Sequence, residues 1–514
     1  MRAVSSGGLR LAEALAALSM ATDLARGQPA EQALRACLVA TALAELTGLS
    51  GGEASRVYYA TLLRFIGCTA TSHDYALAFG GDDVAVRAAG DLMDPTDPRS
   101  TLNFVFGLGR GLPALRRGAV VAGALRSGPR VAAAAVKADC EVAALMAARF
   151  GLGDALVSAL AQSFERWDGR GGPAGLGGEQ ISVAARHASV AFVAMMFFNV
   201  GGKEAALGAV RRWSGRILDP SLASAFLEHA GELLEMAVVD DALVAVLSAE
   251  PGRRNVVDER RLEQVLEGFA DFVDLKSTWL HGHSRGVARL AAVAGQTLGF
   301  SEAETVVVRR AGLVHDLGRA AVPTGVWDKP GPLTTTEWEQ VRLHPYHTER
   351  ILARASALAP LARPAGMHHE RLNGTGYHRG ASATEQDRLS RLLAAADVYQ
   401  ALTEARPHRP AFSPDAAARQ LESESLDREA VAAVLAAAGH RRRPRRAWPA
   451  GLSDREVEVL RLLARGMTMK AISERLFISV STVHTHVAHL YEKSAVTTRA
   501  GAAVFAMEND LLQQ

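Results

Sequence analysis

A chain of 514 residues, 48% hydrophobic and 22% charged, is long enough for roughly three or four domains and apolar enough to bury a core in each. Its net charge of +2 excludes nucleic-acid binding through a global field, so any such contact needs a local basic patch. Three cysteines, odd in number and confined to the first third, argue against a disulfide framework and for buried thiols in a reducing compartment.

Alanine and leucine dominate and aromatics reach only 6%, a composition that favours helices throughout. Glu13 and Asp23 interrupt the apolar N-terminal run, against a signal peptide, and no stretch long enough to span a bilayer is free of charge. The expectation is a cytoplasmic protein with no membrane partner.

The chain then repeats itself. "SFERWDGRGGPAGLGGEQISVAARHASVAF" (Ser163 to Phe192) parallels "HHERLNGTGYHRGASATEQDRLSRLLAAAD" (His368 to Asp397) without a gap. "LLRFIGC" (Leu62 to Cys68) parallels "LVHDLGR" (Leu313 to Arg319), and "LDPSLASAFLEHAG" from Leu218 parallels "LDREAVAAVLAAAG" from Leu426. The spacing between the middle motifs is longer in the first copy. Gln28 stands for His283, Arg64 and Phe65 for His315 and Asp316, Ser163 and Phe164 for His368 and His369, and Phe192 for Asp397. Arginine cannot bind a cation and phenylalanine has no lone pair to donate. The first copy should therefore fold without metal, as a pseudo-enzyme half for packing, dimerisation or sensing.

In the second copy, "ETVVVRRAGLVHDL" and "EWEQVRLHPYHTERIL" space their apolar residues for helices, the latter around Pro345. No run of alternating strand character accompanies them. Along these helices lie His283, His315, Asp316, His344, His368, His369 and Asp397. Imidazole and carboxylate ligands suit first-row transition metals, and side chains from several helices can converge on one pocket. The adjacent His368 and His369 diverge by roughly 100° on a helix, which suits two ions, or one ion and its substrate, better than a single ion. Asp316 has two oxygens with which to bridge them, and two ions about 3.5–4 Å apart can drive an in-line displacement at phosphorus. His281, His347, His408 and His440 read as ordinary core or surface residues.

"HRRRPRRAWP" (His440 to Pro449) is a linker, either a solvated hinge or a phosphate contact. Beyond it, Ser453 and Glu456 form a capping box, Val457, Leu460 and Leu463 give the first helix its apolar face, and Gly466 ends it. "MKAISERLF" is a second helix. "STVHTHVAHLYEKS" is a third, with Val483, Val487 and Leu490 inward and a polar outer face suited to a major groove.

The motifs "GHSRGVA", "HDLGR", "RLHP", "HHERLNGTGY" and "AADVYQAL…RPHRPA" resemble the HD-GYP family of metal-dependent phosphohydrolases over about residues 262 to 440, with a degenerate version over about 10 to 235. The resemblance implies helical bundles, two or three iron- or manganese-like ions, and hydrolysis of cyclic di-GMP in many members. Carried over by position, the metal ligands are the seven residues above, with Asp316 bridging. Asp316 and Arg319 would be catalytic, and Arg406 and Arg409 would hold the dinucleotide's phosphates. The chain departs from the family at Arg319 (usually lysine), at Asn373 (usually aspartate) and at Gly376-Tyr377-His378, where the tripeptide normally ends in proline. Trp279 stands where trimetal members carry a glutamate. The expectation is therefore two divalent transition-metal ions, iron or manganese first, with zinc the other possibility.

The tail resembles the LuxR-type helix-turn-helix, including "TVHTHV" and Arg499 before a fourth helix. It departs from the type at Ser494-Ala495, where Leu-Gly is usual. The resemblance implies double-stranded DNA as a partner and a homodimer. Phosphate contacts fall to Lys470, Thr482 and Lys493, and base contacts to Ser481, Thr485 and His486.

The expected architecture is all-α: two HD-like helical bundles (1–250, degenerate, and 251–440), a basic linker (441–450) and a four-helix DNA-binding domain (451–514). The expected function is a transcription regulator carrying a two-metal phosphodiesterase for cyclic di-GMP or a related nucleotide phosphodiester. The alternative is a ligand-responsive regulator that binds nucleotide or metal without significant hydrolysis.

Overall fold

The computed structural model describes residues 9–439, 448–476 and 478–512. Most of the linker expected at His440 to Pro449 therefore lies outside the described residues, as does His440. The fold is all-α, about 69% helical. The described strands are two-residue segments, Leu9–Arg10 paired antiparallel with Val256–Val257. The described residues form two compact units, one of residues 1–68 and 74–265 and one of 69–73 and 266–514.

In the first unit, Leu11–Ala25 is buried on nearly every face, as expected for a helix apolar all round. Its buried hydroxyls are satisfied locally, Ser19 donating to Ala16 O and Thr22 to Ser19 O. Gln32–Leu46, Gly51–Leu63 and Val183–Trp213 pack around the same core. Val183–Trp213 is long and apolar enough by composition to cross a membrane. It is, however, 56% buried over its most apolar window and kinks at Gly201 and Gly202. The longer spacing of the first copy is filled by helices Asp83–Asp91, Pro98–Gly107 and the 36-residue Ala114–Arg149. These close a small separate core of Phe79, Val86, Val105, Leu108 and Ala124. Cys37, Cys68 and Cys140 are all buried, and none of them forms a disulfide.

In the second unit, capping boxes open two helices. Ser301 with Glu304 starts Glu302–Val314, and Thr334 with Glu337 starts Thr335–Arg342. The helical spacing around Pro345 resolves into two helices, Thr335–Arg342 and His344–Arg354. Proline has no N–H to give, so it sits in the first turn of a new helix rather than inside a continuous one.

The repeat is visible in hydrogen bonds as well as in letters. Glu165 accepts from Ala174 N at 2.6 Å and Leu176 N at 3.0 Å, and Glu370 from Arg379 N and Ala381 N, both at 2.8 Å. Arg186 pairs with Asp219 at 2.6 Å and Arg391 with Asp427 at 3.1 Å, and each aspartate also caps the next helix. Gly171 and Gly376 sit at matched crossings. A Cβ there would lie 2.4 Å from Arg166 N and 2.5 Å from Arg371 N respectively, so neither loop admits a side chain.

The tail forms four helices, Asp454–Ala464, Met469–Leu476, Val480–Ser494 and Arg499–Glu508. Val483, Val487 and Leu490 face inward. At the Ser494-Ala495 departure the chain keeps the turn but not the glycine. Ala495 adopts φ 55°, the left-handed region that glycine enters at no steric cost.

Candidate metal centre and DNA-binding surface

Seven side chains converge in the second unit. His283 opens the helix His283–Thr297, and His315 and Asp316 follow the last turn of Glu302–Val314. His344 begins its own helix, His368 and His369 follow Ala359–Gly366, and Asp397 lies within Arg388–Thr403. Gly318 allows this convergence. Its Cβ would lie 2.0 Å from His344 O, so only glycine lets the turn after Asp316 press against the His344 helix.

The seven fall into two groups. His283, His315 and Asp397 each offer an atom within 4.8 Å of the others, and so do Asp316, His344, His368 and His369. Asp316 joins the groups. Its Oδ1 lies 3.4 Å from both His344 Nε2 and His368 Nε2, and its Oδ2 lies 3.2 Å from His315 Nε2 and 3.6 Å from His283 Nε2. Asp397 repeats the pattern, with Oδ1 3.1 Å from His283 and Oδ2 3.8 Å from His369 Nδ1.

The outer shell fixes which nitrogen faces inward. Nδ1 of His315, His344 and His368 lies 2.8, 2.6 and 2.5 Å from the carbonyl three residues earlier, Gly312, Val341 and Ala365. His283 Nδ1 meets Glu404 at 2.9 Å. Occupying Nδ1 as a donor leaves Nε2 with a lone pair for a metal.

The donor atoms fit divalent cations. Both oxygens of Asp316 and Nε2 of His315 are buried, and although the Arg319 guanidinium and the imidazoles stand close, none of the three atoms makes an aligned hydrogen bond, an arrangement that a cation would complete. Burial opposes ionisation of Asp316, but Arg319 and His315 outweigh it and hold the carboxyl well below its ordinary range. Burial likewise opposes the charge on His315, yet Asp316 and Asp397 push its imidazolium up to about 10. Burial drives His344 down to about 4, against the pull of Asp316. Two carboxylates set among five imidazoles make the centre attract positive charge.

Arg319 lies at its edge, Nε 2.8 Å from Asp316 Oδ2 and guanidinium 4.7 Å from the centre of the Trp327 ring. Tyr377 stacks on His369 with ring centres 4.6 Å apart. Arg406 is held by Glu404 at 2.9 Å and by Trp279 O at 3.0 Å, one carboxylate removed from His283. Arg409 donates to the carbonyls of Ala401, Leu402 and Glu404 and would have to leave them to reach a phosphate.

Sequence reasoning missed Glu404 and Trp327, neither of which carries a spacing signal. Glu404 also lines a cavity of about 260 Å³ with Trp279 and Gln400, and with Arg465 and Leu512 from the tail. Arg289, on the His283 helix, pairs with Asp510 at 2.8 Å.

On the tail, Lys470, Ser481, Thr482 and Thr485 are exposed and His486 is half-buried. His484 and His489 share that exposed face. Lys493 is engaged elsewhere, its Nζ 2.8 Å from Glu456 Oε2, where it reinforces the capping box. Thr482 Oγ1 lies 2.8 Å from Ser479 Oγ, the cap of its own helix.

Residues 267–429 match the HD domain family, and residues 450–506 match the luxR family of bacterial regulatory proteins. A 3'3'-cGAMP-specific phosphodiesterase of Vibrio cholerae is 30% identical over 438 residues, 84% of this chain and 95% of that protein. The chain belongs to the HD-GYP family of phosphodiesterases. A crystal structure of a cyclic GMP-AMP specific phosphodiesterase from V. cholerae covers 84% of this chain and 98% of its own, with a TM-score of 0.59 at 27% identity. A cyclic di-GMP phosphodiesterase response regulator of Xanthomonas campestris is 32% identical over 165 residues, 32% of this chain and 43% of that protein. To the HD-GYP body this chain adds the LuxR-type DNA-binding domain.

Proposed function

We propose that the chain is a cytoplasmic, homodimeric transcription regulator whose second repeat hydrolyses a cyclic dinucleotide with two bound metal ions. The observation that carries this reading is Asp316, whose two buried oxygens each face a different pair of imidazole nitrogens. His283, His315 and Asp397 would hold one ion and His344, His368 and His369 the other, with Asp316 beside both groups. Such a pair of ions supplies electrophilic activation of a phosphodiester and a nucleophile at neutral pH.

The chain's own side chains do the rest. Three backbone carbonyls and Glu404 hold the imidazoles in the ligating tautomer. Arg319 sets a permanent positive charge beside the reacting phosphoryl group, and as arginine it cannot donate a proton to the leaving oxygen. Arg406 orients a phosphate from the Glu404 side. The substrate class is the cyclic dinucleotides, either cyclic di-GMP or the 3'3'-cGAMP for which the Vibrio relative is named.

Protein loaded with manganese or iron should convert one of these to a linear product, and Asp316→Ala should abolish the conversion. Intact cyclic dinucleotide after incubation with metal-loaded protein would overturn this reading.

One observation favours a second reading, binding without turnover. The Arg319 guanidinium already neutralises Asp316 at 2.8 Å. A metal-loaded protein whose DNA affinity shifts with cyclic di-GMP or 3'3'-cGAMP, while mass spectrometry recovers the nucleotide unchanged, selects it. In either reading Glu404 touches both His283 and the cavity lined by tail residues Arg465 and Leu512. A ligand that binds one arrangement of that contact more tightly shifts the DNA-binding domain.

A further inference from the structure

The first repeat has lost its ligands but not its cavity. Gln28, Arg64, Phe65, Phe164 and Phe192, five of the six residues aligned with metal ligands, line a cavity of about 190 Å³ together with Arg26, Gln32, Asp91 and Trp213. The three phenylalanines pack on one another, with Phe65 centred 4.8 Å from Phe192 and 5.9 Å from Phe164. They give the cavity an aromatic wall where the second repeat has two carboxylates and an imidazole.

The polar atoms of this cavity are unbalanced in one direction. Arg26 Nε, Gln32 Nε2, and Nε and Nη1 of Arg64 are buried donors without an acceptor. Arg26 is 5% exposed and Gln32 2%. The acceptors are already taken. Asp91 receives Arg26 and Gln28, Asp23 receives the Ala33 N–H, and the Ser189 hydroxyl is turned to Ala185 O. Arg26 has Asp91 as its counter-charge, whereas no carboxylate among the described residues lies within ion-pair distance of Arg64. Burial and the neighbouring Arg26 bring Arg64 down to about 10, so it remains cationic at neutral pH. Burial pushes the Asp23 carboxyl well above its ordinary value, against the pull of two backbone N–H groups and Arg26.

Four unmet donors, a cation met by three ring faces at 5.6, 5.7 and 5.6 Å but by no carboxylate, and an aromatic wall call for a guest that only accepts hydrogen bonds, carries negative charge and has a flat apolar body. We infer that the first repeat's cavity is a binding site for a small carboxylate or phosphate monoester carried on a planar ring. The oxyanion meets Arg64, Arg26 and Gln32, and the ring lies against Phe65, Phe164 and Phe192. The volume suits one ring with its charged group. This site stands independently of hydrolysis in the second repeat.

Benzoate, phenyl phosphate and neutral benzamide titrated calorimetrically into the full-length, chelator-treated protein test it. Benzoate or phenyl phosphate should bind saturably and benzamide should not; which anion binds more tightly identifies the natural headgroup. Arg64→Met should weaken anion binding by about tenfold or more, as expected for one charged hydrogen bond, Arg64→Lys should restore part of it, and Asp316→Asn should leave it intact. Because Arg64→Met removes a buried charge, its melting temperature without ligand should stay level or rise. Failure of both anions to bind the wild-type protein would overturn the inference whatever the variants do, since Arg64 would then be satisfied by the surrounding rings. Equal binding of benzamide, or anion binding unaffected by Arg64→Met, would overturn it too.

Discussion

The two repeats share one loop and differ in what lies beneath it. In each, a glutamate ties down the loop's amides, an arginine–aspartate pair closes the following helix, and a glycine admits a backbone crossing. Beneath the loop the second repeat gathers carboxylates and imidazoles with unmet acceptors, whereas the first gathers rings and unmet donors. The scaffold is therefore independent of the chemistry it presents. Substituting the ligands inverted the cavity's electrostatic demand from cation to anion without disturbing the loop above it.

The sharpest contrast comes from one matched position. Phe192→Ala should remove a core ring, 7% exposed, and cost the first repeat about 3–5 kcal/mol in chemical denaturation. Asp397→Asn should abolish metal retention, whereas Phe192→Ala should leave metal retention in the second repeat intact. Metal lost from Phe192→Ala, or kept by Asp397→Asn, would break the distinction between a packing repeat and a ligating one.

The shared scaffold is tested at the glycines. Gly171→Ala and Gly376→Ala each force a Cβ onto backbone atoms and should destabilise their repeats by a similar amount, about 3 kcal/mol. Tolerance of one and not the other would show that the loops are not equivalent. A smaller effect is expected at Glu404, which orients His283 and has no counterpart in the first repeat's assigned positions. Glu404→Ala should weaken metal binding by about 10–100-fold and leave the fold intact.

Smallest is a pH effect confined to the second repeat. His315 is raised to about 10, so at neutral pH an entering ion must displace its proton. Metal binding should release protons, and apparent affinity should increase as pH rises toward about 10. Calorimetry in buffers of different ionisation enthalpy reads this directly. Heats that do not depend on the buffer would contradict it.

The all-helical fold was legible because composition, helical spacing and the capping pairs all agree, as at Ser453 and Glu456. The converging histidines and aspartates were legible because they recur as letters in a fixed order, and because the first repeat lacks each of them. Glu404 was not, since a lone glutamate after a helix has no spacing that separates it from a surface charge. The fates of Lys493 and Arg409 were hidden for a similar reason. Sequence shows a cation but not the carboxylate or carbonyls that already occupy it. Pro345 was read within one helical pattern, although its missing N–H begins a second helix. The unmet donors of the first cavity were invisible because they arise only when Arg26, Gln32 and Arg64 meet in space.

The central claim is that metal belongs to the second repeat alone, bridged by Asp316. Elemental analysis of full-length protein expressed with supplied iron or manganese tests it most directly. About two ions per chain are predicted for the wild type and for Arg64→Met, and essentially none for Asp316→Ala. A wild-type protein that retains no metal, or an Asp316→Ala variant that keeps its full complement, would contradict the claim.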